Sequence, residues 1–338
     1  MSVENLSVVQ GVVLIVISAL LWIFRARLAY WRVPTLVVVF ALISAGISAA
    51  IGYSSQSILR KEVVTTRFAD DPLGAVSRIF RESLEARLLS LGAPGVIRYP
   101  KSLNRISDIK KRFRLAQDIH VILVGETKRL SVVFPEVMQR GAARGSLGEK
   151  RSRRDSTGFQ RAFPLVSRVP AISIQDPLSD SSIDFLAELL AGYSEQVPEA
   201  RRETYLASAV SNHRPWRSHS ARALPALLLG DRILRGMADR HRLDFSDIRC
   251  AMKWYARGVE LFKASDNPAL SSVLYYHWGV AYAMIHWLDG SIESRRAAVK
   301  RFERAIHFAQ YPRTGDVGQQ VREYARRSLK QITEHDVR

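Results

Sequence analysis

Two uncharged apolar stretches near the N-terminus constrain this chain more than any other feature. Residues 6–24 read LSVVQGVVLIVISALLWIF, and residues 33–51 form a second run of the same character. Each is close to the roughly 20 residues that a helix needs to cross a bilayer core. The tail before them carries Glu4 and no Lys or Arg, which is unlike a cleaved signal peptide, so both runs are expected to be retained as spans. Between them Arg25, Arg27 and Arg32 stand beside Trp22, Tyr30 and Trp31, the chemistry of a membrane interface. The second run concentrates small residues at Ala41, Ser44, Ala45, Gly46 and Ser48, so helix backbones could pack closely there, within the hairpin or between protomers of a homo-oligomer. The expectation is a transmembrane hairpin over 6–53 in an inner membrane. The loop arginines are denser than Arg60, Lys61 and Arg67 beyond the second span, which places the remaining chain on the extracytoplasmic side.

The chemistry-bearing residues argue against an enzyme. Neither a phosphate-binding Gly-rich loop with Lys-Ser or Lys-Thr, nor HExxH, nor Gly-x-Ser-x-Gly occurs. Cys250 is the single cysteine, which excludes an intrachain disulfide and a multi-cysteine metal site. His213 and His219 flank an Arg-Pro-Trp-Arg loop, and His277 and His286 lie nine apart on one predicted helix. Neither pair has acidic or thiol company at ligand spacing, so these histidines read as structural or surface groups and no metal, cofactor or catalytic residue is assigned. A hydrolase hidden from motifs would have to use carboxylates such as Asp176, Asp180 or Glu126. With 50 Lys+Arg against 32 Asp+Glu the chain has a formal charge of +18, which favours anionic partners without choosing between lipid, nucleic acid and acidic protein.

After a polar stalk over 54–71, the spacing of Val76, Ile79, Phe80, Leu84, Leu88 and Leu89 predicts an amphipathic helix. A short apolar run at 95–99, a second helix near 103–117, the aliphatic run IHVILVGET and then LSVVFPE follow, and together they describe a small α/β module over 72–138. This order, with Gly125 and Glu126 closing the penultimate strand, resembles the TolB N-terminal-like module, over residues 72–135. That resemblance implies a bacterial binding or assembly module, brings no catalytic residues, and agrees with the extracytoplasmic side.

Residues 139–182 read as a basic linker, with Arg140, Arg144, Lys150, Arg151, Arg153 and Arg154 set among Gly and Ser. Such a loop is either an attachment to anionic lipid or simply a solvated connection. Phe159 is the only aromatic residue nearby, which counts against nucleic acid.

From 183 to 334 helical periodicity dominates, making the fold class mainly α. Tyr275, Trp278, Gly279 and Tyr282 fall on one predicted helix, and Ala298, Phe302 and Ala305 on the next. Gly230 and Ile233, then Ala251, Tyr255 and Gly258, echo them. These residues and offsets resemble tetratricopeptide (TPR) helical hairpins, in which small residues let helices close around aromatic ones. The segments at 253–262 and 300–309 align at an offset of about 47, longer than the usual family period of about 34. The resemblance implies a concave groove for a peptide segment of a protein partner. Arg232, Arg235, Lys253, Arg257, Lys300, Arg301 and Arg304 would line one side of it and suit an acidic peptide, or else form solvated outer faces. Two functions stand: a membrane-anchored, non-enzymatic scaffold or sensor, and a two-span effector that senses a ligand such as a nucleotide signal and disrupts the membrane by oligomerising.

Overall fold

The computed structural model describes residues 63–93, 95–99, 121–134, 159, 162–211, 219–239, 244–264 and 266–334. Among them no helix is long and apolar enough to cross a membrane. This corrects the expected fold class and the two-span inner-membrane placement: the described chain is a mainly helical assembly with one small sheet and no membrane span. The stretches 6–24 and 33–51 on which that expectation rested lie outside the described residues, as does the basic stretch from Arg140 to Arg154.

The sheet has five strands, β1 (Val63–Thr66), β2 (Val96–Tyr99), β3 (Val121–Glu126), β4 (Arg129–Val133) and β5 (Ile172–Gln175), in the order β2-β1-β3-β4-β5. β1 runs parallel to both neighbours, Val63 standing opposite Val96 on one side and Val121 on the other. β3 and β4 form an antiparallel hairpin, and β5 pairs antiparallel with β4. Two expectations change here. The region read as a stalk supplies β1, an inner strand, because VVTT is a β-branched quartet that is stable only once flanked on both sides. The region read as a linker supplies β5, whose Ile172 and Ile174 alternate into the core.

One face of the sheet is covered by α1 (Ala75–Ser90) through Phe80, Leu84 and Leu88. The buried stripe is therefore narrower than the periodicity suggested, and Ile79 and Leu89 stay 64% and 57% exposed. The loop leading into α1 is fixed by two carboxylates. Asp71 accepts from the Ser77 backbone N–H and hydroxyl, both at 2.7 Å, while Asp70 accepts from the Thr127 N–H at 2.8 Å and also from its hydroxyl. These hydrogen bonds hold both carboxyl groups below the usual range.

The remaining helices are α2 (Asp180–Tyr193), α3 (Glu199–Ser211), α4 (His219–Asp239), α5 (Phe245–Glu260), α6 (Pro268–Asp289), α7 (Ile292–Ala309) and α8 (Gly315–Glu334). Four of them open on a polar cap: Ser179, Asp244, Asn267 and Ser291 each accept from a first-turn N–H. The hairpins close on glycine–aromatic contacts. A β-carbon on Gly230 of α4 would strike the Tyr255 ring of α5, and one on Gly279 of α6 would come within 2.7 Å of the Phe302 ring of α7. Similarly Gly258 leaves room for Leu274.

Sheet and helices share one apolar core rather than two. Arg87 of α1 pairs with Asp184 of α2 at 2.9 Å, and the Tyr205 hydroxyl of α3 donates to the Leu91 carbonyl at 3.0 Å. Inserting a branched side chain into one of these seams, as in Gly279→Val, is expected to cost about 1–3 kcal/mol, read as a lower urea midpoint at unchanged slope. The lowered Asp71 pKa means its contribution is complete above the unfolded carboxyl value and is lost as pH falls through the folded one. Acid titration of Asp71→Asn should therefore show a shallower stability loss below about pH 4 than the parent chain.

Candidate functional site

A segment without regular secondary structure, 163–171, packs on α6, reaches α8 through Ser167 and Arg168, and leads directly into β5. Its apolar side chains go inward. Phe163 and Val166 are buried, Phe163 lying near-parallel to Phe302 at 6.5 Å, and the preceding Phe159 stacks on Phe163 and meets Trp287 edge-on. Buried backbone outside helix and sheet needs partners for its amides, and the helices supply them from side chains. The Tyr276 hydroxyl donates to the Pro164 carbonyl at 2.7 Å, the Val166 N–H donates to His277 Nε2 at 2.9 Å, and Asn267 Nδ2 donates to the Ala171 carbonyl at 3.3 Å. At the rim Arg168 pairs with Asp316 at 3.7 Å.

Beneath the segment sits a closed polar network. His277, fully buried, contacts Asp231 Oδ1 through Nδ1 at 2.5 Å, and the Tyr255 hydroxyl donates to the same oxygen at 2.9 Å. Because Nε2 accepts from a backbone N–H, the ring proton resides on Nδ1 and is donated to the carboxylate. Burial first, then the Asp231 charge, push the Tyr255 hydroxyl well above its ordinary pKa, so it remains a donor. The triad resembles a proton relay in composition only. Both His277 nitrogens are committed, one to each end, and neither faces a substrate-sized space. It links α4, α5 and α6 to the segment and orients the single ring that reads the Val166 amide.

Beside the segment, Phe163, Pro164, Leu165, Leu234, Val280 and Met284 line a cavity of about 200 Å³ that opens to solvent, with Arg235 among its lining residues. Of the seven basic residues expected to line a partner groove, only Arg235 reaches this cavity. Arg232 is engaged by Glu199 at 3.6 Å and Glu203 at 4.0 Å, and Arg257 pairs with Glu260 of its own helix. Lys253 and Lys300 are exposed. Arg301 and Arg304 lie together elsewhere, Arg301 3.8 Å over the Trp278 ring and Arg304 5.5 Å over Tyr275. Tyr275, Trp278 and Tyr282 form a stacked row along α6 beneath them. The structure places these seven residues apart: one at the cavity, two on an aromatic row, and the others in ion pairs or solvent.

Phe163, Val166 and the segment that carries them escaped the sequence reading, which assigned 139–182 to a linker. A signal was available in Phe163, Val166, Val169 and Ile172, apolar residues every third position through a run without glycine. His277→Ala would leave the Val166 amide and the Asp231 carboxylate short of partners, each unsatisfied group costing about 1–3 kcal/mol. The expected readout is lower stability together with faster hydrogen exchange at the Val166 amide, while amides of β3 keep their rank among the slowest. No protein-family model, no curated protein and no solved structure matches this chain.

Proposed function

We propose that the protein is a non-enzymatic scaffold whose TPR-like helical half docks a peptide segment of a protein partner. The observation that carries this reading is the seating of residues 163–171, chain outside regular secondary structure that is held by Tyr276, His277 and Asn267 through its backbone and by Phe163 and Val166 through its side chains. Backbone hydrogen bonds give affinity for any extended chain, and pockets for alternate side chains give selectivity. The surface therefore suits a partner with an aromatic residue followed three positions later by an aliphatic one, matching Phe163 and Val166. Acidic character adds to this at Arg235, the basic residue among those lining the cavity. The TolB-like reading of the sheet module fits the same role, since the shared core makes it the platform on which the helical half is mounted.

A non-catalytic role is supported by the Asp231–His277–Tyr255 network, whose hydrogen-bonding atoms are spent on one another and on the Val166 amide. In this reading the chain's own segment and a partner's segment compete for the same seat. Weakening the internal one should open it. A fluorescent peptide of sequence FPLVSRVPA, added to the full chain, is expected to bind saturably to Phe163→Ala/Val166→Ala and at least about tenfold more weakly to the parent. This follows because an occupied binding-competent state lowers apparent affinity by its fractional population. Equal absence of binding in both, with the variant still cooperatively folded, would refute the docking role.

A further inference from the structure

Away from the helical half, the sheet module gathers arginines at one end. Arg67 follows β1, Arg98 lies in β2 opposite Thr65, and Arg78 and Arg81 lie on the first turns of α1. With Thr65, Thr66, Gly74 and Ser77 they line a shallow recess of about 20 Å³ that opens to solvent. Four guanidinium groups from three elements repel one another, and acidic compensation is thin. Among the described residues Arg81 has one ion-pair partner, Glu82 at 3.8 Å, while Arg67, Arg78 and Arg98 have none. Arg67 spends one nitrogen on the Pro72 carbonyl at 3.2 Å, but its Nε is buried without a partner. Thr65 lines the same recess, is only 4% exposed, and makes no side-chain hydrogen bond among the described residues. A buried guanidinium N–H without a partner, set among four arginines with little acidic compensation, marks a site for an acceptor that is not part of the protein.

The position is consistent with that. β1 connects through α1 to β2 on one side and has β3 on the other, so the recess opens at the carboxyl end of the parallel strands, beside the point where the connections diverge. The helix N-terminus is not the holding group, because Asp71 already occupies it through Ser77, and Ser77 in turn accepts from the Phe68 N–H. Neither Asp71 nor Glu82 lines the recess. What faces the space is guanidinium and hydroxyl, a donor set that fits the tetrahedral oxygens of phosphate through paired N–H bonds. The recess is too shallow to enclose a ligand, so a phosphate would be met at its mouth by the arginine N–H groups and the rest of a ligand would extend outward past the exposed Arg78 and Arg98.

We propose that this recess binds the terminal phosphate of a small phosphorylated ligand, a phosphomonoester or pyrophosphate. The site is independent of the peptide seat: its residues are on β1, β2 and α1, none of which contributes to the hydrogen bonds that hold residues 163–171.

Calorimetric titration of the full chain with inorganic pyrophosphate, a nucleoside monophosphate and a sugar monophosphate tests it, against the parent nucleoside and sodium chloride at equal ionic strength. Saturable binding is expected for the phosphorylated probes and none for the nucleoside. Similar affinity for the two monophosphates would identify the phosphate alone as the recognised group, whereas preference for one would show that the outer arginines also read the attached moiety; both support the site. Arg78→Ala and Arg98→Ala, at exposed positions, should each weaken binding by roughly tenfold or more with an unchanged melting curve. Arg81→Lys, which keeps the charge and removes the fork, should weaken it as well. Absence of saturable binding, undiminished binding in the Arg78→Ala/Arg98→Ala double variant, or equal affinity for a hydroxyl-ended oligonucleotide would overturn the proposal.

Discussion

Backbone buried against helices outside any sheet has no ladder to satisfy its amides, and that requirement organises much of this structure. Tyr276 and His277, adjacent on α6, meet it from neighbouring directions, one giving a proton to the Pro164 carbonyl and the other taking one from the Val166 amide. Neither could do so unaided. The His277 ring must present a bare Nε2, which Asp231 ensures by accepting the Nδ1 proton, and Asp231 is steadied by Tyr255. Tyr255 in turn reaches Asp231 because Gly230 gives its ring somewhere to lie. A glycine on one helix thus underwrites a hydrogen bond to a residue more than sixty positions away.

The same economy of small residues explains how α6 can be buried along most of its length. Gly279 admits Phe302, Ala281 and Ala283 leave no bulk, and the larger Tyr276, Val280 and Met284 turn toward the segment before β5. On the side where Tyr275, Trp278 and Tyr282 emerge, arginines rather than aliphatic side chains cover the rings. Arg301 is partly desolvated there, which draws its pKa down, yet a guanidinium keeps its charge and the ring faces offer it a compatible surface.

How much of this could be read from sequence depended on whether a feature was local. Glycine–aromatic spacing on α4 to α7 is a property of neighbouring turns, and among the residues singled out there Gly230 meets Tyr255 and Gly279 meets Phe302. The strand IHVILVGET and the hairpin after it were equally visible, since an aliphatic run and a two-residue turn are contiguous. β1 and β5 were not. Four residues of VVTT or ISIQ carry no period long enough to identify, and each becomes a strand through partners tens of residues distant. The surroundings of the basic residues were out of reach for a related reason: helical spacing places Arg232, Arg257 and Arg301 on faces, but which face meets Glu199, solvent or an aromatic ring is decided by packing between helices. The arginine recess was beyond reach of any window, because Arg67 and Arg98 meet only when β1 and β2 align.

The place of β1 in the sheet sets a timetable. It is the earliest described element in the chain, yet it sits between strands that are synthesised later, and the last strand of that sheet ends only at Gln175. The segment leading into that strand is secured by a histidine a further hundred residues on. On a ribosome, which releases the chain from its N-terminus at about 5–20 residues per second, β1 must wait unpaired until β2 and β3 have emerged, and the sheet stays open until β5 follows. A protein built this way completes its native contacts late in translation, and is most exposed to mispairing while that first strand has no neighbours.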